Sequence, residues 1–535
     1  MKKELLSGNE AIALAALHSG CALGAGYPGT PSTEILERFS ELGGSAQWAP
    51  NEKVAAEVAL GVAFAESSAL CTMKHVGFSV AQDLFFTAAY SGIQGAFVAI
   101  VADDPGMASS QNEQDTRSLA LAGGLPVLEP ADSQEAYDFT RLAFRLSRRW
   151  GTIVIVRTTT RISHSNSVVA FDETAREPLP RAAYSRDIPA RVMVPGHAKP
   201  AHRRLRARLA EIEKWNAAEG PNKIIDGAGN KLGIISSGVA FQHAFEAAPG
   251  AGFFKVGMCH PLPVEKIVEF TKRYERCIAI EEGDPYLTTQ LRAAGANLDA
   301  RPETYRFGEF TTDRALAQIR GDTAETPRPV KAKPPQLCKG CPHLFSFEPL
   351  VREGIIVAGD IGCYTLAALK PLQAMDIQIC MGASIGIGLG MRHVLPEERA
   401  RKVVSVIGDS TFMHSGLPGL VEMVYNAPRT GHVVIVVDNS TTAMTGTQEN
   451  PSTGRKLDRS PTTRVSIEEV ARGIGIKNVA AFNPVRQSGE FTAFLKDCLA
   501  KNELSLIVLR QPCVLAAPII AKLKAAAAAA ELKSA

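Results

Sequence analysis

The feature that most constrains the fold is a pair of short β-branched runs in the C-terminal third of the sequence. These runs, Val403–Ile407 and Val433–Val437, are apolar at nearly every position instead of alternating with polar residues. A strand that is apolar on both faces is typical of a parallel sheet covered by helices on both sides. We therefore predict a doubly wound α/β domain built around these two strands.

The N-terminal part of the chain shows the same pattern. The runs Phe97–Val101 and Thr152–Val156 alternate with alanine-rich windows of helical character, which predicts a second doubly wound α/β domain. The stretch Asn166–Asn230 is irregular and dotted with proline, with one basic helix predicted around Arg203–Trp215. Buried strands are predicted again at Lys231–Ile235 and Cys277–Ile280, in a smaller α/β domain.

These patterns divide the chain into segments. We predict an α/β domain at residues 1–165, a connecting segment at 166–230, a smaller α/β domain at 231–321, a third α/β domain at 336–515 and an alanine-rich tail at 516–535. The polar, proline-rich joint Asp322–Pro335 separates the last two α/β domains.

Charge and cysteine content exclude several classes of protein. The 535 residues include 58 Lys and Arg against 55 Asp and Glu, a near-balance that argues against a nucleic-acid or anionic-membrane binder. Ten cysteines are too few for a disulfide scaffold, and no apolar signal segment follows Met1, so the predicted compartment is the cytoplasm. The most membrane-like stretch, Leu84–Ala102, breaks into a helical half and a strand half, and we interpret it as buried core.

Polar residues follow the two C-terminal strands. Gly408-Asp409-Ser410 comes directly after the first strand, and Asn439 and Thr441 follow the second, about thirty residues later. A strand-end glycine allows a diphosphate to approach the backbone, and Asp and Asn oxygens are ligands that Mg²⁺ prefers. Two ordinary strand-end turns would give the same pattern, so the spacing indicates a diphosphate and magnesium site without requiring one.

Four cysteines lie in loops of the same domain. Cys338 and Cys341 form a Cys-x-x-Cys pair, Cys363 follows Gly362, and Cys513 follows Pro512. A Cys-x-x-Cys pair serves zinc sites, redox dithiols and iron–sulfur clusters, and free buried thiols are the simplest alternative. The remaining six cysteines stand in apolar or helical contexts and are predicted to be core residues: Cys21, Cys71, Cys259, Cys277, Cys380 and Cys498.

Several longer motifs carry a resemblance to a known family. They are Gly26–Ser32 (GYPGTPS), Met73–Gly77 (MKHVG), Ala102–Met107 (ADDPGM), Ser109–Asp115 (SSQNEQD), the Cys338 loop, Gly408–Phe412 (GDSTF) and Thr441–Gly446 (TTAMTG). From about Leu6 to Val514 the chain resembles the large subunits of indolepyruvate:ferredoxin oxidoreductases, which belong to the 2-oxoacid:ferredoxin oxidoreductases. The resemblance implies two thiamine-diphosphate-binding domains, pyrimidine-type at 1–165 and diphosphate-type at 336–515, with a transketolase-C-terminal-like domain at 231–321.

The resemblance also implies roles for individual residues. Gly408 and Ser410 would lie at the diphosphate, Mg²⁺ would be held by Asp409, Asn439 and the Thr441 carbonyl, and one [4Fe–4S] cluster by Cys338, Cys341, Cys363 and Cys513. The family often has a second glycine where this chain has Ser410. The glutamate that hydrogen-bonds the aminopyrimidine ring is Glu52 or Glu57, and Glu52 is preferred because it stands nine residues before Gly61. Thr30, Lys74 and His75 would lie near the substrate, although a satisfied strand-end histidine is as common as a catalytic one.

The implied reaction is the oxidative decarboxylation of an aryl 2-oxoacid, such as indolepyruvate or phenylpyruvate, to its acyl-CoA. Coenzyme A would be the co-substrate, and electrons would leave through the cluster to ferredoxin. The expected partners are a smaller oxidoreductase subunit and a homodimeric core, giving a heterotetramer. Family members usually continue into a ferredoxin-like domain with two Cys-x-x-Cys-x-x-Cys arrays, whereas the residues after Val514 hold none, so a cluster-carrying subunit or an unusual acceptor is expected.

Three alternatives remain at this stage. A non-redox thiamine-dependent decarboxylase or carboligase would need no cluster, and its cysteines would be free or bind zinc. A phenylglyoxylate-type dehydrogenase subunit would use the same residues on a different aryl 2-oxoacid. A catalytically idle scaffold subunit is disfavoured, because Glu52, Asp409 and Asn439 are all present.

Overall fold

The computed structural model describes residues 1–324, 336–523 and 525. The chain forms two compact units, Met1–Pro329 and Val330–Ala535. Most of the predicted proline-rich joint and most of the alanine-rich tail lie outside the described residues.

The first unit alternates strands and helices. Its strands are β1 (Lys2–Ser7), β2 (Leu23–Gly26), β3 (Ala46–Trp48), β4 (Ser68–Lys74), β5 (Ala96–Asp103), β6 (Val127–Leu128), β7 (Val154–Thr159), β8 (Asn166–Phe171), β9 (Lys223–Ile225), β10 (Leu232–Ser237), β11 (Gly252–Val256), β12 (Met258–His260) and β13 (Arg276–Ile280). Its α-helices are α1 (Gly8–His18), α2 (Thr33–Glu41), α3 (Glu52–Phe64), α4 (His75–Val80), α5 (Gln82–Ser91), α6 (Thr116–Gly123), α7 (Ser133–Trp150), α8 (Thr160–His164), α9 (Ile188–Arg191), α10 (Pro195–Glu219), α11 (Gly238–Ala247), α12 (Val264–Thr271), α13 (Tyr286–Ala293) and α14 (Thr312–Arg320).

The largest sheet of this unit has the strand order β12-β6-β7-β5-β4-β2-β3. All its pairings are parallel except that of β12 with β6. Every residue of the central strands β4 and β5 is buried, as a doubly covered parallel sheet requires. The predicted run Phe97–Val101 lies within β5, and Leu84–Ala102 is shared between α5 and β5.

A smaller sheet has the order β13-β10-β11-β9, and β1 pairs with β8 in a separate antiparallel ribbon. The strands predicted at Lys231–Ile235 and Cys277–Ile280 are β10 and β13, and they pair in parallel. Two details differ from the sequence prediction. The basic helix α10 is much longer than expected, and β12 joins the large sheet as an edge strand. The sequence does not indicate that β12 joins the large sheet, because a three-residue strand is too short to show a periodic pattern.

Two buried arginines anchor an ion-pair network in the first unit. Arg157 of β7 binds Asp103 at 2.7 Å and also contacts Glu129, while Arg117 of α6 binds Asp115 at 2.6 Å and Glu281 at 3.2 Å. All these side chains are buried. Removing one charge of a buried pair leaves its partner uncompensated, which is far more costly than losing an exposed pair.

We expect Arg157→Met to lower the free energy of unfolding by about 3–5 kcal/mol, because Asp103 and Glu129 would remain buried without their cation. The measurement is urea unfolding followed by circular dichroism. The matched control is Lys231→Met, which removes an exposed pair with Glu275 and should cost less than about 1 kcal/mol. Equal effects of the two substitutions would contradict the prediction.

The second unit is a single six-stranded sheet in the order β15-β14-β16-β17-β19-β18, with every pairing parallel. Its strands are β14 (Ile356–Gly359), β15 (Ile377–Gln378), β16 (Val403–Gly408), β17 (His432–Asp438), β18 (Asn478–Phe482) and β19 (Leu504–Arg510). Its α-helices are α15 (Pro342–Arg352), α16 (Ala383–Val394), α17 (Glu397–Ala400), α18 (Asp409–Thr411), α19 (Leu417–Tyr425), α20 (Ile467–Ile474) and α21 (Ser488–Ala500).

The two strands that motivate the fold prediction lie side by side in the middle of this sheet. β16 and β17 are buried along their whole length, and their carboxyl ends bring Gly408 next to Val437. The prediction of a covered parallel sheet is confirmed here. Among the residues that the structure describes, no helix is both long enough and apolar enough to cross a membrane.

Candidate active site

Asp409 lies at the carboxyl end of β16, at the first position of α18. Its carboxylate is buried and accepts hydrogen bonds from two neutral groups, Asn450 Nδ2 at 3.1 Å and Ser452 Oγ at 3.2 Å. Burial and the nearby charge of Asp438 raise the pKa of Asp409 to about 7. A buried carboxylate that faces a second carboxylate is an environment that a divalent cation would stabilise.

Asn439 and Thr441 follow the neighbouring strand β17 and are buried. The Oδ1 of Asn439 accepts a hydrogen bond from the backbone N–H of Thr441 at 3.1 Å, and the Thr441 hydroxyl donates to the carbonyl of Gln448. The carboxylate of Asp409, the amide of Asn439 and nearby carbonyls make an all-oxygen donor set. This set fits the coordination that Mg²⁺ prefers.

Gly408 and Ser410 flank Asp409. The backbone N–H of Gly408 donates to the Tyr364 hydroxyl at 2.9 Å, and a Cβ at Gly408 would lie 2.8 Å from the Tyr364 ring. Glycine is therefore required at this strand end also because Tyr364 packs too closely for a side chain at position 408. The sequence did not indicate this contact. Ser410 accepts a hydrogen bond from Thr442 at 2.9 Å, which connects the loops after β16 and β17.

The four cysteines of the predicted cluster come together in the second unit. The backbone N–H of Cys341 donates to the Cys338 carbonyl in a tight turn, with Gly340 at φ +75°. Burial and the charges of Cys513, Cys341 and Cys338 together raise the pKa of Cys363 to about 11. Burial and the charges of Cys338 and Cys513 likewise raise the pKa of Cys341. Cys363 therefore lies close enough to the other three thiols to be affected by their charges.

The thiols are nevertheless not packed around a single point. Among the residues with described positions, no group of three or more His, Cys, Asp or Glu side chains could hold one metal ion. A zinc ion needs four sulfurs at about 2.3 Å from one centre, whereas in a [4Fe–4S] cluster each thiolate binds a different iron. The described thiols therefore do not meet the requirement of a site for a single zinc ion.

Of the other six cysteines, five are buried as predicted, but Cys380 is exposed. The prediction for Cys380 is wrong because β15 is a two-residue edge strand, and the chain leaves the sheet immediately after it. The apolar neighbours of Cys380 in the sequence resemble those of a core strand.

In the first unit, Glu52 is the first residue of α3 and is buried. Its side chain packs on Gly77 of α4, where an added Cβ would lie 2.4 Å from Glu52 Cγ. Glu57, the alternative, is exposed and pairs with Lys53. The structure therefore separates the two glutamates by environment, and only Glu52 has the buried position that an activating acid requires.

Gly77 gives a direct test of this arrangement. We expect Gly77→Ala to lower the free energy of unfolding by about 1–3 kcal/mol through overpacking, because the added Cβ would displace the Glu52 side chain. If Glu52 is the activating acid that the resemblance implies, activity should also fall by about 10²-fold. The measurements are urea unfolding and the activity that the resemblance implies, 2-oxoacid-dependent dye reduction. Gly61→Ala is the matched control, because no atom lies within 4 Å of an added Cβ and alanine favours the α3 helix. A loss of activity in both variants would contradict the prediction.

Lys74 ends β4 and is buried. Its Nζ donates to the Ser109 carbonyl at 2.8 Å and to the Ser109 hydroxyl at 3.1 Å, and lies 3.6 Å from the Asp104 carboxylate. Burial lowers the pKa of Lys74. The loop that carries Thr30 is adjacent, since a Cβ at Gly29 would lie 3.3 Å from Lys74 Cβ.

His75, the next residue, begins α4 and is fully buried. Its Nε2 lies 3.2 Å from the Asn112 carbonyl, so Nε2 carries the proton. Its Nδ1 is buried with no hydrogen-bond partner among the described residues. A buried polar atom in this situation costs free energy unless a ligand satisfies it.

Sequence reasoning does not single out two residues of these sites. Asp104, buried beside Lys74, accepts hydrogen bonds from the Ser109 backbone at 2.8 Å and from the Ser110 hydroxyl at 2.5 Å. His343, two residues after Cys341, is buried beside Asn439. Asp104 lies within a family motif and His343 directly follows the Cys338 loop, but only their positions in the fold distinguish them from ordinary loop residues.

Comparisons with known proteins identify two thiamine-related regions of the chain. Residues 14–203 match the family "Pyruvate flavodoxin/ferredoxin oxidoreductase, thiamine diP-bdg", and residues 360–509 match "Thiamine pyrophosphate enzyme, C-terminal TPP binding domain". Indolepyruvate oxidoreductase subunit IorA of Archaeoglobus fulgidus is 36% identical over 96% of this chain and 87% of its own length. The corresponding subunit of Pyrococcus abyssi is 37% identical over 96% of this chain and 86% of its own length.

The chain belongs to the IorA family of indolepyruvate oxidoreductases. The resemblance seen in the sequence is thereby confirmed. IorA-type chains are catalytic subunits of the 2-oxoacid:ferredoxin oxidoreductase class, so this chain binds thiamine diphosphate and takes part in the oxidative decarboxylation of a 2-oxoacid. The fold agrees with that of a 2-oxoglutarate:ferredoxin oxidoreductase from Magnetococcus marinus, which is 16% identical with a TM-score of 0.50 and covers 60% of this chain and 65% of its own.

Proposed function

We propose that the chain decarboxylates an aryl 2-oxoacid of the indolepyruvate and phenylpyruvate class to the acyl-CoA, with electrons leaving through a [4Fe–4S] cluster. The observation that carries the proposal is the placement of the four cysteines in the unit that also holds Asp409 and Asn439, with Cys363 close enough to the other three for their charges to help raise its pKa. The loops are directly connected, because the backbone N–H of Cys513 donates to the Asn439 carbonyl at 2.9 Å. An electron acceptor close to the cofactor-binding residues is what oxidative, as opposed to simple, decarboxylation requires.

In this proposal Asp409, Asn439 and the Thr441 carbonyl hold Mg²⁺, and Gly408 and Ser410 lie along the diphosphate. A bound cation would keep Asp409 ionised, because its charge would offset the burial of the carboxylate and the nearby charge of Asp438. Thiamine diphosphate supplies the carbanion chemistry that makes the loss of CO₂ from a 2-oxoacid possible. Glu52 hydrogen-bonds the aminopyrimidine ring and exchanges the proton that activates the cofactor.

The residues beside the substrate are assigned by their charge and exposure. Because Nε2 carries the proton, Nδ1 of His75 is an acceptor. It is buried, has no hydrogen-bond partner among the described residues, and is available to a hydrogen-bond donor of the substrate or cofactor. Lys74 contributes positive charge for the carboxylate, and Asp104 and Ser109 hold its ammonium group. Thr30, which lies in the loop packed against Lys74, contacts the substrate.

An aryl substrate is supported by the names of the similar proteins. The IorA relatives match along 96% of this chain, whereas a ketoisovalerate oxidoreductase subunit of Methanothermobacter thermautotrophicus is 23% identical over 61% of it. Phenylglyoxylate-type acids remain the second candidate substrate, since they present the same aryl and 2-oxoacid groups.

We further propose the partners of the reaction. A smaller oxidoreductase subunit completes a heterotetramer around a homodimeric core, and ferredoxin or a cluster-carrying subunit accepts the electrons in the cytoplasm. Coenzyme A is the acyl acceptor. The chain without the smaller subunit is expected to show little turnover, and full activity of the purified chain alone would contradict this assignment.

The test is an anaerobic purification of the chain with its co-purifying subunits, followed by metal analysis and assays. We expect about four iron atoms per chain and dye reduction that requires both coenzyme A and indolepyruvate or phenylpyruvate. Preference for phenylglyoxylate would identify the second substrate class. Decarboxylation without dye reduction, together with one zinc and no iron, would favour the non-redox decarboxylase or carboligase and overturn the proposal.

A further inference from the structure

The side-chain amide of Asn439 is held from two directions. Its Oδ1 accepts a hydrogen bond from the Thr441 backbone N–H at 3.1 Å, and its Nδ2 points to the Nε2 of His343 at 3.5 Å. The two ends of an asparagine amide have opposite hydrogen-bonding character, and a flip by 180° exchanges them. The donor at Oδ1 and the acceptor at Nδ2 therefore decide together which way Oδ1 faces.

His343 has the properties of a fixed acceptor. It is the second residue of α15 and is buried, which favours the neutral imidazole, and a neutral imidazole has one acceptor nitrogen. Its ring packs edge-on against Tyr364, with 5.7 Å between the ring centroids. Tyr364 is itself held by the hydrogen bond from Gly408. The imidazole is thus packed between Asn439 and the residue that supports the end of β16.

We propose that His343 is a positioning residue that selects the amide orientation of Asn439 in which Oδ1, and not the NH₂ group, faces the cation. The inference rests on the proposed function, because it concerns Asn439 as a ligand of Mg²⁺. In the opposite orientation the amide would present N–H dipoles to a positive charge, and Asp409 would lose its neighbouring ligand. Partners that orient metal ligands typically contribute 10–100-fold in metal affinity.

The experiment measures the Mg²⁺ dependence of thiamine diphosphate binding by calorimetry on the full chain, purified anaerobically and stripped of thiamine diphosphate and Mg²⁺. We expect His343→Phe, which keeps a ring of similar size but removes the acceptor, to raise the half-saturating Mg²⁺ concentration by about 10–100-fold. His343→Gln, which restores an acceptor oxygen, should recover most of the affinity. Iron content and visible absorbance, followed in parallel, report whether the neighbouring Cys341 site is intact.

A second comparison separates orientation from general packing. Asn439→Asp places an oxygen at both ends of the side chain, so no particular orientation needs to be selected. In that background we expect His343→Phe to change Mg²⁺ affinity by less than about threefold, a strongly non-additive result. His432→Phe is the control for loss of a buried histidine, because His432 lies at the start of β17 and bonds Ser405 instead.

The outcomes separate a failure of the positioning role of His343 from a failure of the proposed Mg²⁺ site. If Asn439→Ala leaves Mg²⁺ affinity unchanged, Asn439 is not a ligand and the proposed metal site is wrong. If Asn439→Ala weakens Mg²⁺ binding but His343→Phe does not, the site stands and the positioning role is overturned. If His343→Phe has an equal effect in the unaltered chain and in the Asn439→Asp variant, His343 acts only through packing. This result would also overturn the positioning role.

Discussion

Glu52→Gln is expected to reduce 2-oxoacid-dependent dye reduction by about 10²–10⁴-fold, the usual contribution of a positioned acid or base. Glutamine keeps the size of the side chain and the packing against Gly77, but it cannot exchange the proton that activates the cofactor. Thiamine diphosphate binding, measured by calorimetry, should change by less than about tenfold, because the residues proposed to hold the diphosphate and Mg²⁺ lie in the second unit. The loss should therefore appear in kcat and not in cofactor affinity.

The matched control lies on the same helix. Glu57→Gln removes a carboxylate of the same type that is exposed and paired with Lys53, and it should retain nearly full activity. The same pair of variants tests the choice made between the two glutamates from sequence. Full activity of Glu52→Gln together with an inactive Glu57→Gln would show that the assignment is reversed, despite the burial of Glu52.

The parts of the fold that sequence could predict are those with strong local patterns. The apolar runs of β16, β17 and β5 have no face suited to water, so their burial in parallel sheets follows directly. The positions of Asp409 and Asn439 at adjacent strand ends follow from that same topology. In these cases the residues of one short segment are enough to predict its secondary structure and its burial.

Features that depend on distant neighbours could not be predicted. Arg117 and Arg157 look like ordinary surface charges in sequence, and only the fold brings Glu129 and Glu281 to them. In the sequence nothing distinguishes His343 from other histidines, and only the fold brings Asn439, which follows β17, next to it. The apolar neighbours of Cys380 predict a core position, but exposure at an edge strand depends on which strands pair.

The same reasoning explains why the cysteines can be recognised only as a set. Each of the four is ambiguous alone, and the second unit brings them together from three separate loops, after β14, after β19 and before α15. Burial and the neighbouring thiols raise the pKa of Cys341 and of Cys363, so without a bound metal the thiolate forms of these two residues are disfavoured. A metal group that neutralises the thiolates would remove this penalty.

Replacement of both Cys338 and Cys341 by alanine is expected to remove the cluster. Iron should fall from about four atoms per chain to less than about one, and the visible absorbance should disappear, because half of the ligands are lost. Dye reduction should fall to background, since electrons then have no exit. Thiamine diphosphate binding should remain, because the side chains of Asp409 and Asn439 and the backbone contact from Cys513 are unchanged.

Cys380→Ala is the control for this pair, because Cys380 is a free cysteine of the same unit that lies outside the set of four. It should retain both iron and activity. Continued slow release of CO₂ by the double variant, without dye reduction, would show that carbon–carbon cleavage does not require these two cysteines, whereas electron transfer does. Two results would show that these thiols do not hold an electron-transfer cluster. One is that the double variant keeps its iron, and the other is that the unaltered chain contains zinc instead of iron.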